Sequence, residues 1–150
     1  MSVKKIEIKD NPKQDVVVAV DISDNDINLT NLKKTVKMFK DLTENYLMNG
    51  TVVLFDNKVE YSIDIRDYEH LDEFSINKTE KVNFNNMFDF VKEITADNPA
   101  GLFKVFVLSD NMDSIDKDND PNIPINWLTT KKVEVPYGEI LKFWFKIEYF

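Results

Sequence analysis

An α/β fold is predicted for this 150-residue chain, with a mainly parallel central sheet flanked by helices in three layers and an antiparallel hairpin or edge strand. Three features predict it. Two short, mostly apolar runs, at residues 16–20 and 102–108, read as central strands buried on both faces. Apolar residues at three- and four-residue steps mark helices between them, each with one buried face. An alternating segment behind a tight polar turn reads as a hairpin partner. Alternation of strand and helix signals is what a parallel sheet with crossover helices requires.

The first strand is Asp15-Val-Val-Val-Ala-Val-Asp21, closed by an acid. After a polar loop, Leu32, Val36, Phe39, Thr43, Tyr46 and Leu47 mark a helix over residues 30–48, with Asn49-Gly50 as its C-cap. Residues 51–55 form the next strand, and Asp56-Asn57-Lys58 turns it into the alternating residues 59–65. Residues 66–82 carry no clear period. Phe84, Met87, Phe88, Val91 and Ile94 then make a second helical stripe, ended by Asp97-Asn98-Pro99. The buried strand at 102–108 follows and also ends in an acid, Asp110. A polar, aspartate-rich loop at 111–122 leads to two closing strands, at 123–128 and 139–149. No repeat, linker or break in composition divides residues 1–150, so one domain is expected.

Composition narrows the function classes. With 43% hydrophobic residues and eleven Phe, the chain can build a core without metal or disulfide staples. Cysteine is absent, which excludes disulfides, thiolate zinc sites and thiol nucleophiles. It also suits a reducing cytosol, so a cytoplasmic location is expected. No apolar run follows Lys4-Lys5, which argues against a signal peptide. The longest apolar run has five residues, whereas a bilayer span needs about 20, so a soluble protein without a membrane partner is expected. The net charge is −8 and Arg66 is the only arginine, which argues against nucleic acid as a partner. Heavy use of Asn, Lys, Ile and Phe suits an A/T-rich genome such as that of a phage or a low-GC bacterium.

Two buried strands that each end in Asp are the most informative feature. Ligands of open α/β sheets sit at the carboxyl ends of strands, where the strand order reverses. In Asp21-Ile-Ser-Asp-Asn25 every second residue offers an oxygen, a donor set suited to a hard cation such as Mg²⁺.

The run Val16-Val-Val-Ala-Val-Asp21-Ile-Ser23-Asp-Asn25 resembles the opening strand of a von Willebrand factor A-type domain, a Rossmann-like fold. That family carries Asp-x-Ser-x-Ser there, as part of its metal-ion-dependent adhesion site. The helix, the hairpin at 52–59 and Phe106-Val-Leu-Ser-Asp110 follow in the family's order. Ile123-Pro-Ile-Asn-Trp127-Leu-Thr and Val135-Pro-Tyr-Gly138-Glu-Ile resemble the end of an A-like domain of bacterial predicted metallopeptidases. The resemblance spans residues 15–143. It implies a metal at the sheet edge whose coordination an acidic residue of a partner protein completes. Asp21, Ser23, Asn25 and Asp110 are the ligands it implies. The chain departs from the pattern at Asn25, which lacks the second hydroxyl, and at Val82, where a Thr-bearing glycine turn is expected. Thr79 is near but out of register. The zinc-protease half is missing, since His70 is the only histidine.

Other candidates have plainer readings beside them. Asp21 and Asp110 also read as strand-end residues that cap loops. Asp116-Lys-Asp118-Asn-Asp120 imitates an EF-hand start, but Pro121 and Trp127 stand where Gly and Glu are needed, so a solvated loop is the reading. His70, beside Glu69 and Asp72, reads as a surface residue. In the last strand Trp144 stands among Lys142, Lys146 and Glu148, either covering a helix or anchoring a partner or second copy by strand addition. A dehalogenase-type site would need Asp at position 23, where Ser23 stands.

The expected function is a non-enzymatic protein-interaction module, using the C-terminal rim of the sheet or an edge strand. It would carry no cofactor, or Mg²⁺ at a degenerate adhesion site. The alternatives are a Mg²⁺-dependent protein binder and a small Mg²⁺-dependent hydrolase. The partner is another protein or a second copy joined through the last strand.

Overall fold

The computed structural model describes residues 4–5, 14–23, 29–73, 82–96, 98, 103–129 and 134–140. Among these residues seven strands form one sheet: β1 (Lys4–Lys5), β2 (Val16–Asp21), β3 (Gly50–Phe55), β4 (Val59–Asp64), β5 (Lys104–Leu108), β6 (Ile125–Leu128) and β7 (Glu139–Ile140). Their spatial order is β1-β4-β3-β2-β5-β6-β7, and every neighbouring pair is parallel except the β3–β4 hairpin. Helix α1 (Leu29–Asn45) joins β2 to β3, and α2 (Phe84–Ile94) precedes β5.

The central strand shows why its sequence is apolar throughout. Successive side chains of a strand point to opposite faces. Val16, Val18 and Val20 pack with Leu32, Val36 and Phe39 of α1, together with Val52, Leu54 and Ile63. Val17 and Ala19 pack on the other face with Phe84, Met87, Phe88 and Val91 of α2, together with Val53, Phe55, Val105, Val107 and Trp127. With a helix on each face, neither set of side chains meets water, and alternation is lost from the sequence.

Within residues 66–82, which carry no clear period in the sequence, residues 66–73 are described and form part of a helix. A 3₁₀ helix runs over Ile65–Glu73, kinked at Asp67 (φ −94°, ψ 20°). Its apolar residues Ile65, Tyr68 and Leu71 recur at steps of three, the 3₁₀ period rather than the α one. Ile65 and Leu71 are buried against the α1 side of the sheet. At its start the Arg66 guanidinium grips Asp64, with Nη2 at 2.6 Å from Oδ2 and Nε at 3.0 Å from Oδ1. Burial pushes the Asp64 pKa up, but the Arg66 side-chain and backbone bonds outweigh it, and the carboxyl is held below its ordinary value.

Two corrections concern the end of α1. The helix stops at Asn45, and Gly50 is not its cap but the first residue of β3, paired with Val16. A Cβ on Gly50 would lie 2.8 Å from Ile65 Cγ2, so close packing of the 3₁₀ segment explains the glycine. The reversal occurs at Leu47, which has φ 54°. Met48 N–H donates to Thr43 O at 2.8 Å and Leu47 N–H to Glu44 O at 3.2 Å, the paired bonds of a Schellman cap. The left-handed position normally belongs to Gly. Leu47 is 93% exposed and contributes no packing to set against that strain. Leu47→Gly is therefore expected to raise stability to urea by about 1 kcal/mol; a loss of stability would show that the side chain is needed where it is.

At the other edge, Trp127 and Tyr137 close the α2 side of the core. The expected strand at 123–128 is shortened to Ile125–Leu128, and the one at 102–108 to Lys104–Leu108. The expected last strand at 139–149 is seen as Glu139–Ile140, and its continuation, with Trp144, lies outside the described residues. The Tyr137 hydroxyl is buried with no hydrogen-bond partner among the described residues. Burial, with Asp120 and Asp116 nearby, pushes its pKa up to about 12. A raised pKa of this kind favours the fold below the unfolded value of about 10 and is lost as pH rises towards the folded value. Tyr137→Phe is expected to be neutral or stabilising by up to about 1 kcal/mol at pH 7 and to blunt alkaline unfolding. Stability profiles from pH 7 to the alkaline limit check both; a marked loss at pH 7 would reveal a partner for the hydroxyl.

Candidate functional site

The helices on opposite faces of the sheet create the site. From β2 the chain crosses by α1 to β3 on one side, while β5 is entered from α2 and lies on the other side of β2. At the carboxyl ends of β2 and β5 the connections therefore part, leaving the crevice typical of a topological switch point.

Asp21 closes β2 at the floor of this crevice and is buried, at 3% exposure. Its Oδ1 accepts from Ser23 N–H at 2.9 Å and from the Ser23 hydroxyl at 2.6 Å. This is a local turn in which the side chain caps its own backbone two residues on. Its Oδ2 accepts from the Ser109 hydroxyl at 2.6 Å and from Asn111 Nδ2 at 2.6 Å. Asn111 Nδ2 also lies 3.1 Å from Ser23 Oγ, and the Asn111 N–H donates to Ser109 Oγ at 3.0 Å. The four residues form a closed ring, with Ser109 and Asp21 buried, Ser23 half-buried and Asn111 exposed at the mouth.

Asp21 and Ser23 are thus brought together as the sequence expects. Asp110 is half-exposed, and its two neighbours, not Asp110, meet the Asp21 carboxylate. Aligning the two strands on their terminal acids would set Asp21 beside Asp110. The observed register pairs Val20 with Leu108, so the next step sets Asp21 beside Ser109. A one-residue slip exchanges the two faces of a strand. Ser109 and Asn111 carry no charge that would mark them in the sequence, although both lie within three residues of the β5 terminus. Asn25, Thr79 and Trp144 lie outside the described residues, and Val82 is half-buried just before Asn83, the N-cap of α2.

Elsewhere the polar candidates are surface groups. His70 is exposed, with Nδ1 2.9 Å from Glu73 Oε2. In the aspartate-rich loop, Asp116 accepts from Asp118 N–H at 3.1 Å and Asp120 from Asn122 N–H at 2.8 Å, which are local turns.

The resemblance implies Mg²⁺ at this rim, and a hard cation needs converging oxygens with free lone pairs. As folded, the ring does not fit one. Asp21 is the acceptor for four donors, and the Asn111 side-chain amide NH₂ occupies the notch between Asp21 and Ser23. Among the described residues, no three His, Asp or Glu side chains converge to hold a metal.

A family model described as VWA-like domain (DUF2201) matches residues 16–144. No curated protein matches the chain. Among solved structures, proximal thread matrix protein 1 from the mussel byssus is similar, with a TM-score of 0.57 and 15% identity. The match covers 78% of this chain but 37% of the mussel chain, and at that identity it speaks to the fold alone. Among the described residues, no helix is long and apolar enough to cross a membrane.

Proposed function

This chain belongs to the VWA-like domain family, and on that premise we propose that it is a non-enzymatic protein-interaction module whose partner docks on the rim above β2 and β5. The observation that carries the reading is the hydrogen-bonded ring of Asp21, Ser23, Ser109 and Asn111 at the mouth of the crevice. It holds a small polar platform in one geometry, with Asn111 and Asp113 exposed beside it. Preorganised polar groups lower the ordering cost of association. Catalysis is disfavoured because both serine hydroxyls donate to Asp21 and no imidazole stands beside them to act as base. His70 belongs to the 3₁₀ segment, which begins where β4 ends, beside the amino end of β3.

A second surface has its own support. Met38, Leu42, Tyr46, Leu47 and Met48 are 41% to 93% exposed along the outer face and end of α1, where a solvated helix normally carries polar residues. The test is photo-crosslinking in cells with a reactive residue at Asp113, at Leu42 or, as control, at Lys92 on α2. Discrete adducts from Asp113 support the rim, and adducts from Leu42 alone transfer the reading to α1. Adducts from neither, or turnover of a phosphoester that is lost in Ser109→Ala, would sink the proposal.

A further inference from the structure

We infer that the side-chain amide of Asn111 is a built-in substitute for a cation, so that the rim is metal-independent as it stands and becomes a divalent-metal site by the single change Asn111→Asp. The inference concerns the ring itself and does not depend on where a partner docks.

A buried carboxylate needs either a counter-charge or a full set of hydrogen-bond donors. Asp21 has the donors, and their hydrogens can be assigned without conflict. Each serine hydroxyl has one hydrogen, and both are given to Asp21, at 2.6 Å. The hydroxyl lone pairs are then left to accept. Ser23 Oγ takes a hydrogen from Asn111 Nδ2 at 3.1 Å, and Ser109 Oγ takes the Asn111 backbone N–H at 3.0 Å. The second hydrogen of the Asn111 amide goes to Asp21 Oδ2, at 2.6 Å. The amide therefore stands where a bound cation would, turning the partial positive charge of its two N–H hydrogens to Asp21 and Ser23 at once.

The orientation of the amide follows from the same pattern. Turning it over would set its oxygen against Asp21 Oδ2 and lose two bonds. A metal entering the notch would have to displace that group. In return it would gain, among the described members of the ring, a single formal charge, from Asp21. Mg²⁺ gives up its waters reluctantly and gains little from such a set. Because the Asn111 backbone is itself tied to Ser109, the side chain is held over the notch.

Asn111→Asp keeps the shape and reverses the sense of the interaction. Two carboxylates within hydrogen-bond distance repel unless a proton or a cation lies between them. The variant then has two carboxylates and two hydroxyls around one point, the kind of oxygen donor set that divalent cations use. The experiment is a Mn²⁺ titration of chelator-stripped protein, read by loss of the free-ion electron paramagnetic signal, with thermal melting in parallel.

The unaltered protein is expected to show no saturable uptake and no change of melting temperature up to about 1 mM Mn²⁺. Asn111→Asp should melt lower in chelator and recover in Mn²⁺, with one ion bound per chain. Saturable binding by the unaltered protein that disappears in Ser23→Ala would overturn the inference, as would a folded Asn111→Asp that takes up no metal. Should that variant fail to fold with or without Mn²⁺, Asn111→Ala decides by stability. It takes one donor from the buried Asp21 carboxylate without adding charge, so a lower melting temperature in chelator supports the assignment, and melting unchanged from the unaltered protein overturns it.

Discussion

Trp127→Ala is expected to lower the stability to unfolding by about 4 kcal/mol. Trp127 has no exposed surface. Its ring meets Phe84 edge-on at 5.3 Å, Phe88 at 6.2 Å and Tyr137 at 6.0 Å between centroids. Truncation therefore removes apolar burial and several aromatic contacts together, and α2 has no other side chain of that volume to settle on. The indole N–H also donates to Tyr137 O at 2.9 Å, which anchors the turn into β7. The adjacent Gly138 has φ 74°, and a Cβ there would lie 2.8 Å from the indole nitrogen and 2.9 Å from Ile125 O. The turn is thus shaped around the ring. Urea denaturation followed by circular dichroism gives the value. A change below about 1 kcal/mol would mean that this edge packs differently, whereas Trp127→Phe should fall between the two because it keeps most of the apolar contact.

Asp21→Ala is expected to cost about 3 kcal/mol, although it removes few atoms. Four donors lose their acceptor, and the Ser109 hydroxyl is left buried at the floor of the crevice. Leaving buried donors unpaired costs more than the net gain of forming the same bonds from solvated groups. Asp110→Ala, at a half-exposed position, is the contrast and should stay within about 1 kcal/mol. Chemical denaturation of the pair discriminates between the two aspartates. Equal losses would mean that Asp110 shares in the ring and that the register argument fails. Reversal of the order would place the structural carboxylate at Asp110.

What the sequence determined by itself is whatever one segment expresses alone. The apolar run at Val16–Asp21 announced a strand covered on both faces, and both helices arose from the three- and four-residue steps, α1 ending at Asn45, before the Tyr46 and Leu47 of its stripe. The turn at residues 56–58 announced the β3–β4 hairpin. The ordered string of short motifs was enough to reach the family. Even the 3₁₀ segment had a local signal, in the three-residue spacing of Ile65, Tyr68 and Leu71.

Tertiary structure decided everything that depends on which segment lies beside which. Gly50 reads locally as a helix cap, but it is required by Ile65, which reaches it only because β4 returns alongside β3. The cap itself fell to Leu47, a residue with no intrinsic preference for a positive φ. At the site, Asp21 was legible because a strand ending in an acid stands out in sequence. Its partners Ser109 and Asn111, 88 and 90 residues further on, were not. Their selection over Asp110 rests on a strand register shifted by one residue. Register is set by how two strands and both their covering helices pack together, and no single segment carries that information.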